Sequence, residues 1–544
     1  MHIHGLILLC LLYGVLTKHC PEKCSCYRDK VNCAGRSLSS LDEYDLHLIQ
    51  SFDHVDISRN KFTIFPLLDA KFINASKNNF QLFPDIINGV QSLSLRYNQM
   101  RDVLSENCPV SLRSLDLSEN PIKTINIACD GLAVLDLSHC DIEILPETFL
   151  KKLSSLEILN IGDNPLRKIS DLVSFSLQEL RIQRTQFRVL KPTALTGLTK
   201  LKFLDLSGNK HMRILDFHTN AEILIAQNCS LDSVDFSGMP NLRTAVVDHN
   251  VINRIHFLNS LVELHASNNL ITYIDLHSLK IADLSYNAIS ALKLRPMDWL
   301  NITGNQIQNL KLVSMNLLEA SNCKLKSIEI NRVNIPTLNI SHNELEHFPG
   351  GMSATILDVS YNRLSTFKSQ INGIAEIHLS GNRLVLAEDV IAQGKMHLND
   401  NPWTCDCRMD HLYRLAEDAN NLLCAHPKNV SGKTWADACY RSRIPRWMLK
   451  HPYIPFIIST TLLFLAIFCF YWIRKMLDTP HLRSGEEEEN NHVVETVLPQ
   501  IVINDQLPSY EEALLMPGIA RKVNVVTQTR SYEVLSRRLS SNSI

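Results

Sequence analysis

The sequence predicts a solenoid of short parallel strands, closed at both ends by disulfides, and three observations predict it. A pattern of the form L-x-L-x-x-N-x-L recurs along most of the chain. Its spacing is short, with steps of 18 to 24 residues. Cysteine clusters bracket the recurring region, with Cys20, Cys24, Cys26 and Cys33 before it and Cys405, Cys407, Cys424 and Cys439 after it.

Clear copies of the pattern are Val55-Asp56-Ile57-Ser58-Arg59-Asn60, Leu115-Asp116-Leu117-Ser118-Glu119-Asn120 and Leu357-Asp358-Val359-Ser360-Tyr361-Asn362. The asparagine position falls at 60, 78, 98, 120, 140, 164, 185, 209, 229, 250, 269, 287, 305, 323, 343, 362, 382 and 401. That is 17 steps over 341 residues, about 20 residues each. In each unit the two apolar residues of L-x-L point inward from a short strand, and the residue between them points outward. The chain then turns sharply and leaves backbone groups that strand pairing cannot satisfy. A buried asparagine amide both donates and accepts, so it can serve the backbone of neighbouring turns. Stacked units make this a ladder. At about 4.8 Å between strands, the array gives a sheet roughly 85 Å along its edge. Several steps span only 18 to 20 residues. They leave little room for a helix on the convex side, so loops, extended chain and short 3₁₀ turns are expected there.

These repeats and their flanking cysteines resemble the leucine-rich-repeat superfamily of extracellular receptors, over about residues 20 to 440. Cys20-Pro21-Glu22-Lys23-Cys24-Ser25-Cys26 with Cys33 is similar to that family's N-terminal cap. Asn401-Pro402-Trp403-Thr404-Cys405-Asp406-Cys407 with Cys424 and Cys439 is similar to its C-terminal cap. The resemblance implies a leucine-rich-repeat solenoid of the α/β horseshoe type with a mostly non-helical convex side. It also implies the pairs Cys20–Cys26, Cys24–Cys33, Cys405–Cys424 and Cys407–Cys439. Such caps shield the apolar cross-section that a solenoid would otherwise expose. One departure is Leu415, which stands where the family often has a tryptophan. The family allows small polar substitutes on the ladder, so Cys140, Thr185, Cys229 and Cys323 are expected there, the cysteines as buried free thiols. Cys108 and Cys129 lie four and three residues before Leu112 and Leu132, which begin successive units. They are candidates for a disulfide between repeats, which Cα atoms much more than ~7 Å apart would exclude.

The termini place the array outside a cell. Leu6 to Leu16 is an apolar run of 11 residues, too short to span a bilayer, and reads as a signal peptide over 1–17. Tyr453 to Trp472 is 20 residues without a charge, which as a helix reaches about 30 Å, the hydrocarbon thickness. Tyr453, Tyr471 and Trp472 sit at its edges as an interfacial belt would. The expected organisation is therefore an N-terminal cap over 18–49, about eighteen repeats over 50–402 and a C-terminal cap over 403–440. A juxtamembrane stalk over 441–452, one transmembrane helix over 453–473 and a disordered cytoplasmic tail over 474–544 complete it. This is a single-pass type I plasma-membrane arrangement, with even-numbered cysteine clusters on the oxidising side.

Three short motifs mark the tail. Leu507-Pro508-Ser509-Tyr510 resembles the L-P-x-Y ligands of WW domains found on HECT-type ubiquitin ligases. Its proline favours the extended backbone that WW grooves read. Tyr532-Glu533-Val534-Leu535 fits the Tyr-x-x-Φ signal for clathrin adaptors, and Arg537-Arg538-Leu539-Ser540 fits a basophilic kinase site.

The 54 basic and 56 acidic side chains nearly cancel and give no global reason to expect nucleic acid. Neither G-x-S-x-G, H-E-x-x-H, a Gly-rich phosphate loop nor a kinase set is present, so no enzyme and no cofactor is expected. The 71-residue tail is too short for a Toll/interleukin-receptor signalling domain. Histidines such as His249, His378 and His397 are scattered, without the spacing of a metal cluster. Sequons for N-glycosylation stand at Asn74, Asn228, Asn301, Asn339 and Asn429. Asn74, Asn301 and Asn339 fall between the inward residues of their strands, so sugars there would obstruct the first and the late repeats. Units 3 to 12 stay clear. Outward residues in that stretch include Asp116, Asp136, Arg181, Asp205 and His265, the candidate ligand contacts. The alternative for the aspartates is that L-D-L-S is consensus alone. The expected role is a receptor or adhesion protein for an extracellular protein ligand or another surface receptor. Two others stay open: an innate-immune scaffold, since short irregular repeats also resemble arthropod recognition proteins, and a negative regulator or co-receptor that pairs with another surface receptor and delivers it for degradation.

Overall fold

The computed structural model describes residues 20–439, except 87–88, 106–107, 369–370, 392–393, 408–415 and 418, together with residues 460–469. The signal peptide over 1–17, Leu415, the stalk over 441–452 and the tail over 474–544, with Leu507, Pro508, Tyr510, Tyr532, Leu535 and Ser540, lie outside the described residues. Of the segment 453–473, residues 460–469 are described and helical, with Leu462, Phe464 and Phe468 exposed. Among the described residues no helix is long and apolar enough to cross a membrane.

Each L-x-L becomes a strand of about three residues whose central residue is buried. In His54–Asp56 that residue is Val55, and in Phe203–Asp205 it is Leu204. Sharp turns after the second inward residue keep the strands short. Stacked in register, they form one 20-stranded sheet. Ser25–Tyr27 opens it antiparallel to Lys30–Asn32, and every later neighbour, through Lys395–His397, pairs in parallel. Behind the sheet runs a continuous core in which most inward leucines and isoleucines are fully buried. Burying one such side chain stabilises by about 1.5–3 kcal/mol.

The turn depends on two adjacent positions. The residue before the ladder adopts left-handed backbone, as at Arg59, Tyr97, Asp163 and Tyr361, with φ between 50° and 57°. At 381 the residue is glycine, and a Cβ there would lie 2.4 Å from the Tyr361 ring, so a side chain would have to displace the tyrosine. On the ladder itself, Asn250 Nδ2 donates to the carbonyls of Ala226 and Val247 at 2.9 Å each. Its Oδ1 accepts from the amides of Cys229 (2.9 Å) and Leu231 (3.0 Å) in the preceding unit. Cys140, Thr185, Cys229 and Cys323 occupy the same place and are buried. The Cys229 thiol donates to the Leu206 carbonyl at 3.2 Å. Burial pushes the Cys140 thiol up to about 12 and those of Cys229 and Cys323 up to about 11, so none supplies a thiolate near neutral pH.

The convex side carries short parallel ladders, such as Asp102–Ser105 with Thr124–Ile127 and Val173–Ser174 with Gly197–Leu198. Two 3₁₀ turns, Leu150–Lys152 and Ala387–Asp389, join them, and the first falls in one of the long 24-residue steps, the one ending at 164. Among the described residues no α-helix lies between the caps. The N-terminal cap is tied by Cys20–Cys26 and Cys24–Cys33 and carries the helix Glu43–Ile49, whose first turn Asp42 caps through the Asp45 amide. The C-terminal cap is tied by Cys405–Cys424 and Cys407–Cys439 around Trp403 and Trp435, both fully buried. Trp403 Nε1 donates to the Leu398 carbonyl at 3.0 Å and so closes the last turn. Cys108 and Cys129 have Cα atoms 4.9 Å apart and are disulfide-bonded, joining two adjacent units.

Candidate functional site

Two rows of side chains leave the concave face of the sheet, one from the first and one from the third residue of each strand. Asp116, Asp136, Arg181, Asp205 and His265 all stand in the second row, in register across their strands. The aspartates are engaged by their own turns. Asp116 Oδ1 accepts from the Ser118 amide (3.0 Å) and hydroxyl (2.7 Å), and Asp205 Oδ1 from those of Ser207 (2.8 and 2.6 Å). Asp136 does the same with Ser138 and takes Asn160 Nδ2 on its other oxygen at 3.0 Å. The L-D-L-S motif thus has a local physical reason: the carboxylate caps the turn that follows. Burial raises the carboxyl of Asp116 above the usual range.

Arg181 and His265 are held differently. Arg181 pairs with Glu179 two residues back on its strand, and its guanidinium lies over the Phe203 ring at 5.7 Å. His265 Nε2 lies 2.9 Å from Glu263 Oε1. Burial opposes charge on this imidazole, but the Glu263 hydrogen bond and the charges of Glu263, Asp248 and Asp283 outweigh it and raise its pKa.

Between Arg181 and His265 the face turns apolar. Phe203 and Ile223 are cross-strand neighbours in the first row, and Ile225 and Val246 in the second. Ile223 is 38% exposed and the other three are half-buried. Most units place a polar side chain where Ile225 and Val246 stand. The charged side chains of Lys202, Glu222 and Arg243 are exposed just ahead of these strands. An apolar centre with an arginine on an aromatic ring and a charged rim is the composition of an interaction surface. Sequence reasoning missed this patch because it searched the second row for charge. Its signal was isoleucine and valine at positions that are otherwise mostly polar.

A second grouping lies near the C-terminal cap and corrects the expectation of scattered histidines. Glu376 and His378 share one strand and therefore one face, and His378 is paired with His397 on the next. His378 Nε2 and His397 Nε2 approach the same oxygen, Glu376 Oε1, at 3.1 and 3.0 Å. The two imidazoles stack at 4.2 Å with 11° between planes. The His397 hydrogen bond is the main reason the Glu376 carboxyl sits below its usual range. His378 and His397 lie 19 positions apart, one repeat step, which is why linear spacing rules for metal ligands did not register them.

No family model matches the chain. Against curated proteins it is 26% identical to Tsukushi of Gallus gallus over 298 residues, which is 48% of this chain and 76% of that one. It is 27% identical to oligodendrocyte-myelin glycoprotein of Homo sapiens over 216 residues, covering 39% of this chain but only 44% of that relative. Lumican of Rattus norvegicus is 25% identical over 215 residues, 37% of this chain and 63% of lumican. The chain carries the leucine-rich-repeat fold and is similar to these extracellular leucine-rich-repeat proteins. Similar solved structures include YopM from Yersinia enterocolitica WA-314, at a TM-score of 0.43 and 20% identity over 69% of this chain and 84% of that one. The Drosophila Toll–Spatzle complex follows at 0.42 and 16%, over 75% of this chain and 70% of that one.

Within the leucine-rich-repeat array the sequons are spread over three settings. Asn74, Asn301 and Asn339 stand in the second concave row, and Asn339 Nδ2 donates to Glu319 Oε2 at 2.8 Å. Asn228 is exposed on the turn three residues past Ile225, so a sugar there would border the apolar patch at its edge. Asn429 is exposed in the C-terminal cap.

Proposed function

We propose that this chain is a single-pass cell-surface leucine-rich-repeat receptor or adhesion protein, and that it binds a protein ligand on the concave face around Phe203, Ile223, Ile225 and Val246. The observation that carries this reading is the apolar break in an otherwise polar row, set beside Arg181 and within the repeats that lack concave sequons. The apolar segment 453–473 supports the membrane anchor, and the leader over 1–17 supports an extracellular N-terminus. On this reading the tail sets surface level: Leu507, Pro508 and Tyr510 recruit a WW-domain ubiquitin ligase, Tyr532 and Leu535 a clathrin adaptor, and Ser540 is a phosphorylation site. A partner in the same membrane, giving a co-receptor or negative regulator, would use the same patch.

The test is a bulky sugar placed on the patch. Full-length chain with Arg181→Asn and Gln183→Thr carries a new sequon beside Phe203, and Asp171→Asn with Val173→Thr carries one on the convex side. Partners captured by proximity labelling on cells should be lost from the first variant and kept by the second. Equal capture by both, at equal surface level, rejects the patch. Independently, Tyr510→Ala should abolish ligase binding and lengthen surface half-life, and an unchanged half-life rejects the trafficking role.

A further inference from the structure

We propose that Glu376, His378 and His397 form a zinc site on the concave face beside the C-terminal cap. Three kinds of observation carry it. The first is donor geometry. At ligand distances of about 2.0–2.1 Å, two donors across a tetrahedral zinc are about 3.3 Å apart. Glu376 Oε1 already lies 3.1 Å from His378 Nε2 and 3.0 Å from His397 Nε2, and all three donor atoms lie within 4.8 Å of one another. The two oxygen–nitrogen separations are already near that value, and the two imidazole nitrogens converge from within 4.8 Å to admit the cation.

The second is charge. The direct cross-strand neighbour of Glu376 is Lys395, its natural counter-ion. Lys395 Nζ instead lies 3.1 Å from Glu417 Oε1. The Glu376 carboxylate is left facing the two stacked imidazoles, a place where its charge would favour a cation. A divalent cation there would be held by the carboxylate oxygen and the two Nε2 atoms.

The third is access. The side chains of Glu376, His378 and His397 are all partly exposed on the concave face, which leaves room for water or a partner's side chain as a fourth ligand. Two imidazoles and one carboxylate suit zinc, whereas calcium and magnesium take oxygen donors.

The test uses the full chain stripped with chelator and dialysed against buffered micromolar Zn²⁺. Wild type should retain one equivalent more than His397→Gln, and Glu376→Gln should bind at least tenfold more weakly. His256→Gln, an exposed histidine paired with Asp235 on the back, should match wild type. Co²⁺ should give the visible bands of a four-coordinate site in wild type and lose them in His397→Gln. Circular dichroism confirms that each variant is folded. Equal stoichiometry and affinity in wild type and His397→Gln, or retention only at millimolar zinc, overturns the site.

Discussion

Replacing Asn250 by alanine isolates what the asparagine ladder contributes. The wild-type side chain is 7% exposed. Its removal strands the amides of Cys229 and Leu231, whose hydrogen bonds both end on Asn250 Oδ1, and the Ala226 carbonyl, which accepts from Nδ2. The Val247 carbonyl fares better, because it keeps Asn269 Nδ2 at 3.0 Å. Each buried backbone group left without a partner costs about 1–3 kcal/mol. Three such groups, partly rescued by water at the turn, should destabilise the array by about 3–5 kcal/mol, a large share of a typical folding free energy of 5–15 kcal/mol. Urea titration followed by far-UV circular dichroism measures this, with the exposed Asn253→Ala as control at about 0.5 kcal/mol or less. Asn250→Cys should fall between them, since a thiol at this position still donates to the preceding carbonyl, as Cys229 does. A loss below about 1 kcal/mol for Asn250→Ala would refute the claim that these turns depend on the ladder amide.

Two further predictions test other elements. The Cys108–Cys129 bridge closes 21 residues, so replacing both cysteines by alanine should cost about 3 kcal/mol by loop entropy; an unchanged urea midpoint would deny the crosslink that role. The Glu263–His265 pair should make stability depend on pH in a set direction. The raised pKa of His265 contributes stability in full below the ordinary imidazole value of 6.5, and that contribution is lost as pH rises through the raised value. The lowered pKa of Glu263, due first to the His265 hydrogen bond, contributes above the ordinary carboxyl value of 4.5 and is lost as pH falls through the depressed value. Wild type should therefore exceed His265→Gln by more at pH 5.5 than at pH 8.5, and a gap that is flat or grows with pH contradicts the pairing.

What the sequence made legible and what it hid divide along the periodicity. Leu204, Leu206 and Asn209 solve the same packing and hydrogen-bonding problem as Leu115, Leu117 and Asn120, so repetition exposes them without any knowledge of a fold. Cys140 and Thr185 fall on the ladder by position alone, because a buried turn tolerates any small polar group that can reach a carbonyl. The aspartates at 116, 136 and 205 repeat for the same kind of reason, since each caps its own turn, and their charge is a poor guide to a surface. The features that distinguish this array break the period. Ile225 and Val246 read as ordinary strand residues along the chain, and His378 and His397 as unrelated histidines one repeat apart. Only stacking in register turns each set into neighbours. In a solenoid, then, a residue type is informative relative to the same position in adjacent units. Aligning the repeats and reading down the second concave row is enough to bring out both the apolar patch and the histidine pair. The turn of Lys395 toward Glu417 has no such signal, because Glu417 lies in the C-terminal cap beyond the last strand and so outside the repeating register.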